Sequence, residues 1–223
     1  GPKDERINFA TTHLLADLSS GSSTGNRRFF NEVDVVYREK QKDILLSIGS
    51  GYRAHPLSLT VTDYHFVIKT SIHKPSSTDA IETSDLLNWG SDSVSGWKIP
   101  LTHTGEKVLA RSSTSDGVIL FTTFAPKSNN AIDLCSSSPG IASLYLLNEN
   151  DPVRRISLNQ GGIPAMPVIA RNKHSNEDGS TISSRVTLVG SEIVDFSKDS
   201  SSSTEDPWNS YDHMTKDYWL ESK

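Results

Sequence analysis

The run Val118-Ile119-Leu120-Phe121-Thr122-Thr123-Phe124, entered from Ser115-Asp116-Gly117, limits most strongly what this chain can fold into. A strand with one wet face alternates apolar and polar residues, whereas this one is apolar at four consecutive positions. Both of its faces must be covered, which is the situation of an inner strand between stacked sheets. The Asp-Gly before it is hairpin chemistry. The expected opposite arm is Lys107-Val108-Leu109-Ala110-Arg111.

Similar short arms recur along the chain. They are expected at Asp43 to Ile48, Tyr64 to Thr70, Ser143 to Leu147, Arg155 to Leu158, Pro167 to Ala170 and Ser184 to Val189. Asn148 to Pro152 (NENDP) and His174 to Ser180 (HSNEDGS) supply turns between them. Helical periodicity is confined to Thr12–Leu18 and to one turn over Asp85–Trp89. The pattern predicts an all-β fold of about ten to fourteen short antiparallel strands, a sandwich, barrel or propeller. No WD or kelch repeat singles out the propeller.

Composition agrees and excludes some functions. Only 35% of the residues are hydrophobic, as suits many polar turns. The formal charge of −5 argues against general nucleic-acid binding, which needs clustered Lys and Arg. The adjacent pairs Arg27-Arg28 and Arg154-Arg155 stand outside any basic run and read as solvated or ion-paired. Cys135 is the single cysteine, so no disulfide forms within the chain. No apolar run reaches the ~18 residues of a membrane-spanning helix. Gly1-Pro2 reads as the scar of a cleaved tag, and residues 199–206, opening with DSSSSTE, as a flexible loop. The aromatic tail with Trp208, Tyr211, Tyr218 and Trp219 is expected to dock as a last strand.

Gly49-Ser50-Gly51, followed by Tyr52, Arg53 and His55, raises the question of catalysis. A phosphate loop would need a longer glycine-spaced run ending in Gly-Lys-Ser/Thr. A hydrolase elbow would place glycines two residues either side of the serine, and position 48 is isoleucine. The motif therefore reads as a strand-ending corner, with Arg53 held by a carboxylate or by backbone carbonyls. The seven histidines, at positions 13, 55, 65, 73, 103, 174 and 213, form no HExxH or close ligand pair. His55 and His103 are expected to hydrogen-bond, and no catalytic triad is assigned. The segment His174 to Gly179 places Asn176 and Asp178 as a calcium loop would, but His174 and Arg185 fill its first and twelfth positions. A solvated hairpin loop is the preferred reading. Gln160 to Pro167 (QGGIPAMP) reads as a loop feeding a strand.

The order of these segments carries more than any one of them. Asn26-Arg27-Arg28-Phe29-Phe30, Asp34-Val35 and Ile48-Gly49-Ser50-Gly51-x-Arg53-x-x-Pro56-Leu57 come first. Gly105 to Leu109, Phe121-Thr122-Thr123-Phe124-x-Pro126, Cys135, Pro139-Gly140 and Leu144-Tyr145-x-Leu147-Asn148 follow. Gly161-Gly162-Ile163-Pro164-x-x-Pro167-Val168-Ile169 completes the set. This succession resembles the C-terminal domain of the PilY/PilC-type proteins of bacterial type IV pili, from about residue 12 to the terminal Tyr-Trp segment.

The resemblance implies a modified β-propeller, with residues 3–223 as a single C-terminal propeller-like domain or part of one. It implies an exported protein of a Gram-negative bacterium, at the pilus tip and outer-membrane surface, that promotes adhesion and pilus assembly. Minor pilins are the implied partners, with host-cell or abiotic surfaces as further contacts. The family's acidic calcium loop, DxDxDG-like, lies upstream of the matched region, so no cofactor or metal is assigned to this chain. At about 40–50 residues per four-stranded blade, the chain supplies four or five blades at most and about three once its long loops are counted. A remaining propeller fragment of the same protein is thus another expected partner. Candidate contact loops are Pro75–Ser84, Pro126–Gly140 and Asp199–Trp208. The function expected is non-enzymatic. The alternatives are a propeller enzyme, quinone-dependent or glycan-active, and a carbohydrate- or DNA-binding module of an uptake pilus. Neither Trp89 nor Trp97, both in turn-like sequence, marks a cofactor site.

Overall fold

The computed structural model describes residues 13–71, 79–127, 140–148, 151–175 and 181–194, with side chains described outside 171–175 and 181–185. The expected turn at 176–180, Cys135, the 199–206 loop and the aromatic tail lie outside these residues. So do residues 75–78 of the first candidate contact loop, most of the second and all of the third, while residues 79–84 of the first are described.

The described residues are all β apart from a single 3-10 turn. A five-stranded sheet has β2 (Asp34–Arg38), β3 (Asp43–Gly49), β4 (Tyr64–Ser71), β7 (Gly96–Pro100) and β6 (Leu87–Asn88) in that order. Its neighbours are antiparallel except β6 and β7. The second sheet runs β11 (Arg154–Ser157), β10 (Gly140–Asn148), β9 (Val118–Pro126), β8 (Ser113–Ser115), and the third β12 (Pro167–Ser175), β13 (Thr181–Val189), β14 (Glu192–Val194). A parallel pair, β1 (Ala16–Asp17) with β5 (Ile81–Glu82), covers one end.

The sheets pack face on face in chain order, and the alternation of side chains shows how. From β9, Ile119 and Phe121 point to a core shared with Val67 of β4 and Trp97 of β7. The intervening Val118 and Leu120 point the other way, to a core shared with Val189 of β13 and Val194 of β14. Strand β10 is divided likewise, Tyr145 and Leu147 on one side and Ala142, Leu144 and Leu146 on the other. On the far face of the five-stranded sheet, Phe66 and Ile68 join Leu18 and Leu86. The apolar run at 118–121 is thus an inner strand covered on both faces. Small antiparallel sheets stacked this way, none closed on itself, make a partial or modified β-propeller.

Several local expectations are corrected. The Asp-Gly hairpin exists, with Asp116 and Gly117 both at positive φ (50° and 79°), but its first arm is Ser113–Ser115. Lys107 makes only an isolated bridge to Phe124, because the segment from Lys107 to Leu109 packs against the end of β3 instead. Thr12–Leu18 supplies strand β1 where a helix was expected, since Ala16 and Asp17 pair with Ile81 and Glu82. The turn expected at Asp85–Trp89 falls at Thr83–Asp85, and Leu87 and Asn88 join the sheet beside Trp97 and Lys98. Trp97 itself is a strand residue, with Trp89 edge-on to it at 5.2 Å. Strands β12 and β13 pair up to Ser175 and Thr181, as a hairpin over HSNEDGS requires.

Candidate functional site

Gly49-Ser50-Gly51 is the corner at which the first sheet meets the segment leading to the second. The Ser50 amide donates to Tyr64 O at 2.9 Å, and Ser50 O accepts from Val108 N at 3.0 Å. The Ser50 hydroxyl donates to Asp63 Oδ1 at 2.7 Å and accepts from the Tyr64 amide at 3.0 Å. Close approach explains the glycines. A Cβ on Gly49 would sit 2.2 Å from the Val108 side chain, and one on Gly51 2.8 Å from the Val108 carbonyl oxygen. Arg53 donates to Leu109 O at 2.5 Å, so a backbone carbonyl holds it. The serine is fully buried and engaged on both sides, the geometry of a corner.

Two adjacent charged residues go inward here. Lys107 is 1% exposed, and its ammonium donates to the carbonyls of Ser58 and Gly105, the latter at 2.6 Å. Burial lowers its pKa, opposed by the charge of Asp63. Asp63 is raised by burial, opposed by its Ser50 hydrogen bond and by Lys107 and Arg27. Glu106 is buried on the other side. Its Oε1 accepts from Thr123 Oγ1 at 2.5 Å and from Tyr145 OH at 3.1 Å. Its Oε2 accepts from the His103 amide at 2.9 Å and lies 3.3 Å from His103 Nδ1. Burial, and then the Glu106 charge, push the Tyr145 phenol up to about 12.

A buried serine–histidine pair, Ser47 Oγ to His65 Nε2 at 2.8 Å, lies in the same core. His65 stacks on Phe121 at 3.8 Å, and burial pulls its pKa down to about 3. Both residues are closed to solvent and neither is hydrogen-bonded to a carboxylate among the described residues, so the pair packs the core.

Outside the corner lies an aromatic and cationic cluster. The Arg28 guanidinium sits 4.1 Å over the Tyr52 ring, Phe30 stacks with Tyr52 at 5.8 Å, and His55 meets its edge at 4.7 Å. Arg27 lies over Tyr64 and donates to the carbonyls of Thr62 and Leu18. The expectation of solvated or ion-paired arginines is corrected for Arg27, which carbonyls and a ring face hold, while Arg28 is exposed and rests on the Tyr52 ring. Arg155 donates to Ser143 Oγ at 2.8 Å. His103 hydrogen-bonds, as expected. A cleft of about 100 Å³ reaches in between Asn26, Arg28, Tyr52, Ser58, Asp63 and Lys107. It adjoins an open trough of about 510 Å³ along Tyr52, His55, Pro56 and Leu57. Among the described residues, no three His, Cys, Asp or Glu side chains gather as metal ligands.

Sequence reading found the corner and Arg53 but missed Asp63, Glu106 and Lys107. In the sequence Lys107 reads only as the start of a strand arm, and the partners that bury it and Glu106 come from distant segments. No protein-family model and no curated protein matches the sequence. Among solved structures, the C-terminal domain of PilY1 from Pseudomonas aeruginosa matches with a TM-score of 0.51 at 14% identity. The match covers 79% of this chain and 46% of that one, so the chain spans less than half the length of the domain it resembles.

Proposed function

We propose that this chain is a non-enzymatic structural and interaction domain of a type IV pilus tip-associated adhesin and assembly factor. The observation that carries the reading is the fold shared with the PilY1 C-terminal domain. The ordered family-like motifs, from Asn26-Arg27-Arg28 to Pro167-Val168-Ile169, support it independently. In this reading the domain works by protein–protein binding, with minor pilins as partners, on a protein exported to the cell surface. Two exposed apolar stripes offer contact area of the kind such binding uses. One lies on β2, through Val35 and Tyr37, and the other crosses the third sheet in register, through exposed Val168 and Ile193 with half-buried Leu188 between them.

The test is a pull-down of the purified domain against the individual minor pilins of the same organism. Saturable binding to at least one is expected. Binding to none would remove the partner assignment.

A further inference from the structure

The cleft beside the Ser50 corner holds an arrangement that the corner does not need. Asp63 is 4% exposed and lines the cleft. Its Oδ1 is taken by Ser50, but its Oδ2 has no hydrogen-bond partner among the described residues. Oδ2 is not sealed from solvent, so at the cleft wall it is available to accept from a bound donor. Lys107, 1% exposed, lines the same cavity with two of its three ammonium protons on carbonyls. Asn26 and Arg28 complete the polar wall at the mouth. The guanidinium of Arg28 rests on Tyr52 and makes no hydrogen bond among the described residues.

The charges decide what such a wall admits. The charges of Lys107 and Arg27 act on the single Asp63 carboxylate and Arg28 lines the same cleft, so an incoming cation meets a surplus of positive charge. An anion suits Arg28 and Lys107 but brings a second negative charge against Oδ2. A neutral group that both donates and accepts satisfies every member, and a pair of adjacent hydroxyls does this with one short edge. A space of 100 Å³ is that of about three waters, enough for a –CHOH–CHOH– edge. The adjoining trough has room for the rest of the molecule, against Pro56 and Leu57.

We propose that this cleft is a saccharide subsite, in which Asp63 Oδ2 accepts from one ring hydroxyl of a neutral sugar while Lys107, Asn26 and Arg28 donate to it and its neighbour. The subsite does not depend on the pilus reading, and its test is separate from pilin binding.

Saturation-transfer NMR on the whole chain tests it. The probes are methyl α-mannoside, methyl β-galactoside and N-acetylglucosamine, with inorganic phosphate and glycinamide as the anion and amine arms. Transfer to at least one sugar is expected, unaffected by phosphate or glycinamide. In Asp63→Asn the affinity should fall about tenfold, as loss of a charged acceptor implies. Arg28→Ala and Asn26→Ala, at exposed positions, should each weaken it too and keep the test valid if Asp63→Asn unfolds. The proposal is overturned if no sugar shows transfer, if phosphate or glycinamide displaces the sugar, or if the substitutions leave binding unchanged.

Discussion

Ser50 and Asp63 are joined by a 2.7 Å hydrogen bond that closes the corner between β3 and β4. The same hydroxyl receives the Tyr64 amide, so one small side chain serves one oxygen of the Asp63 carboxylate and a backbone donor at once. Ser50→Ala should therefore cost about 1–3 kcal/mol, the penalty for unsatisfied buried groups. Urea denaturation measures it, and a change under about 0.5 kcal/mol would show that the corner does not depend on the hydroxyl.

Gly49→Ala tests the close approach rather than the hydrogen bond. The added methyl would fall on Val108, 2.2 Å away, although the backbone at Gly49 is ordinary strand. Overpacking of this kind costs about 1–3 kcal/mol. The nearest atom is the Val108 Cβ, so combining Gly49→Ala with Val108→Gly, which removes it, should recover part of the loss, and a double variant no more stable than the additive sum would contradict the contact.

The buried Glu106 makes a different prediction. Tyr145→Phe removes one donor from a carboxylate that keeps others, so a loss of about 1.5–3 kcal/mol is expected. Glu106→Leu strands Thr123, Tyr145 and the His103 amide together, and should be worse than Tyr145→Phe. Thermal and urea melts rank the two, and the reverse order would overturn the network.

His65 gives the chain an acid-sensitive point. Burial holds its pKa near 3 against an ordinary 6.5, so the fold accepts the neutral ring. Its stabilising contribution is full above pH 6.5 and is lost as the pH falls from there toward 3. The slope from one proton approaches about 1.4 kcal/mol per pH unit. Urea melts between about pH 7 and pH 4 should show a steeper decline for the native chain than for His65→Gln. Equal slopes would clear His65 of the role.

How much of this was legible depends on where the signal sits in the chain. Four consecutive apolar residues at 118–121 announced two buried faces, and the structure sends Ile119 and Phe121 one way and Val118 and Leu120 the other. The partner arm of that hairpin was misplaced because Ser113-Thr114-Ser115 has no apolar residue to mark it, whereas Val108 and Leu109 do. Their apolarity serves the corner, a contact between segments more than fifty residues apart in sequence. The same distance hid the cleft. Asp63 and Lys107 carry no spacing that links them, and only the fold brings Arg28, Asp63 and Lys107 around one cavity. The two-residue strands β1 and β6 were equally unreadable, since they owe their existence to the neighbour each pairs with.

The pilus assignment is tested most directly by deleting this domain from its parent protein in the native bacterium. Surface pili and the parent protein are then measured in the sheared fraction. The expected result is that the intact protein is found with sheared pili, and that the deletion reduces surface piliation with pilin synthesis unchanged. An intact protein retained in the cytoplasm, with piliation indifferent to the deletion, would contradict it.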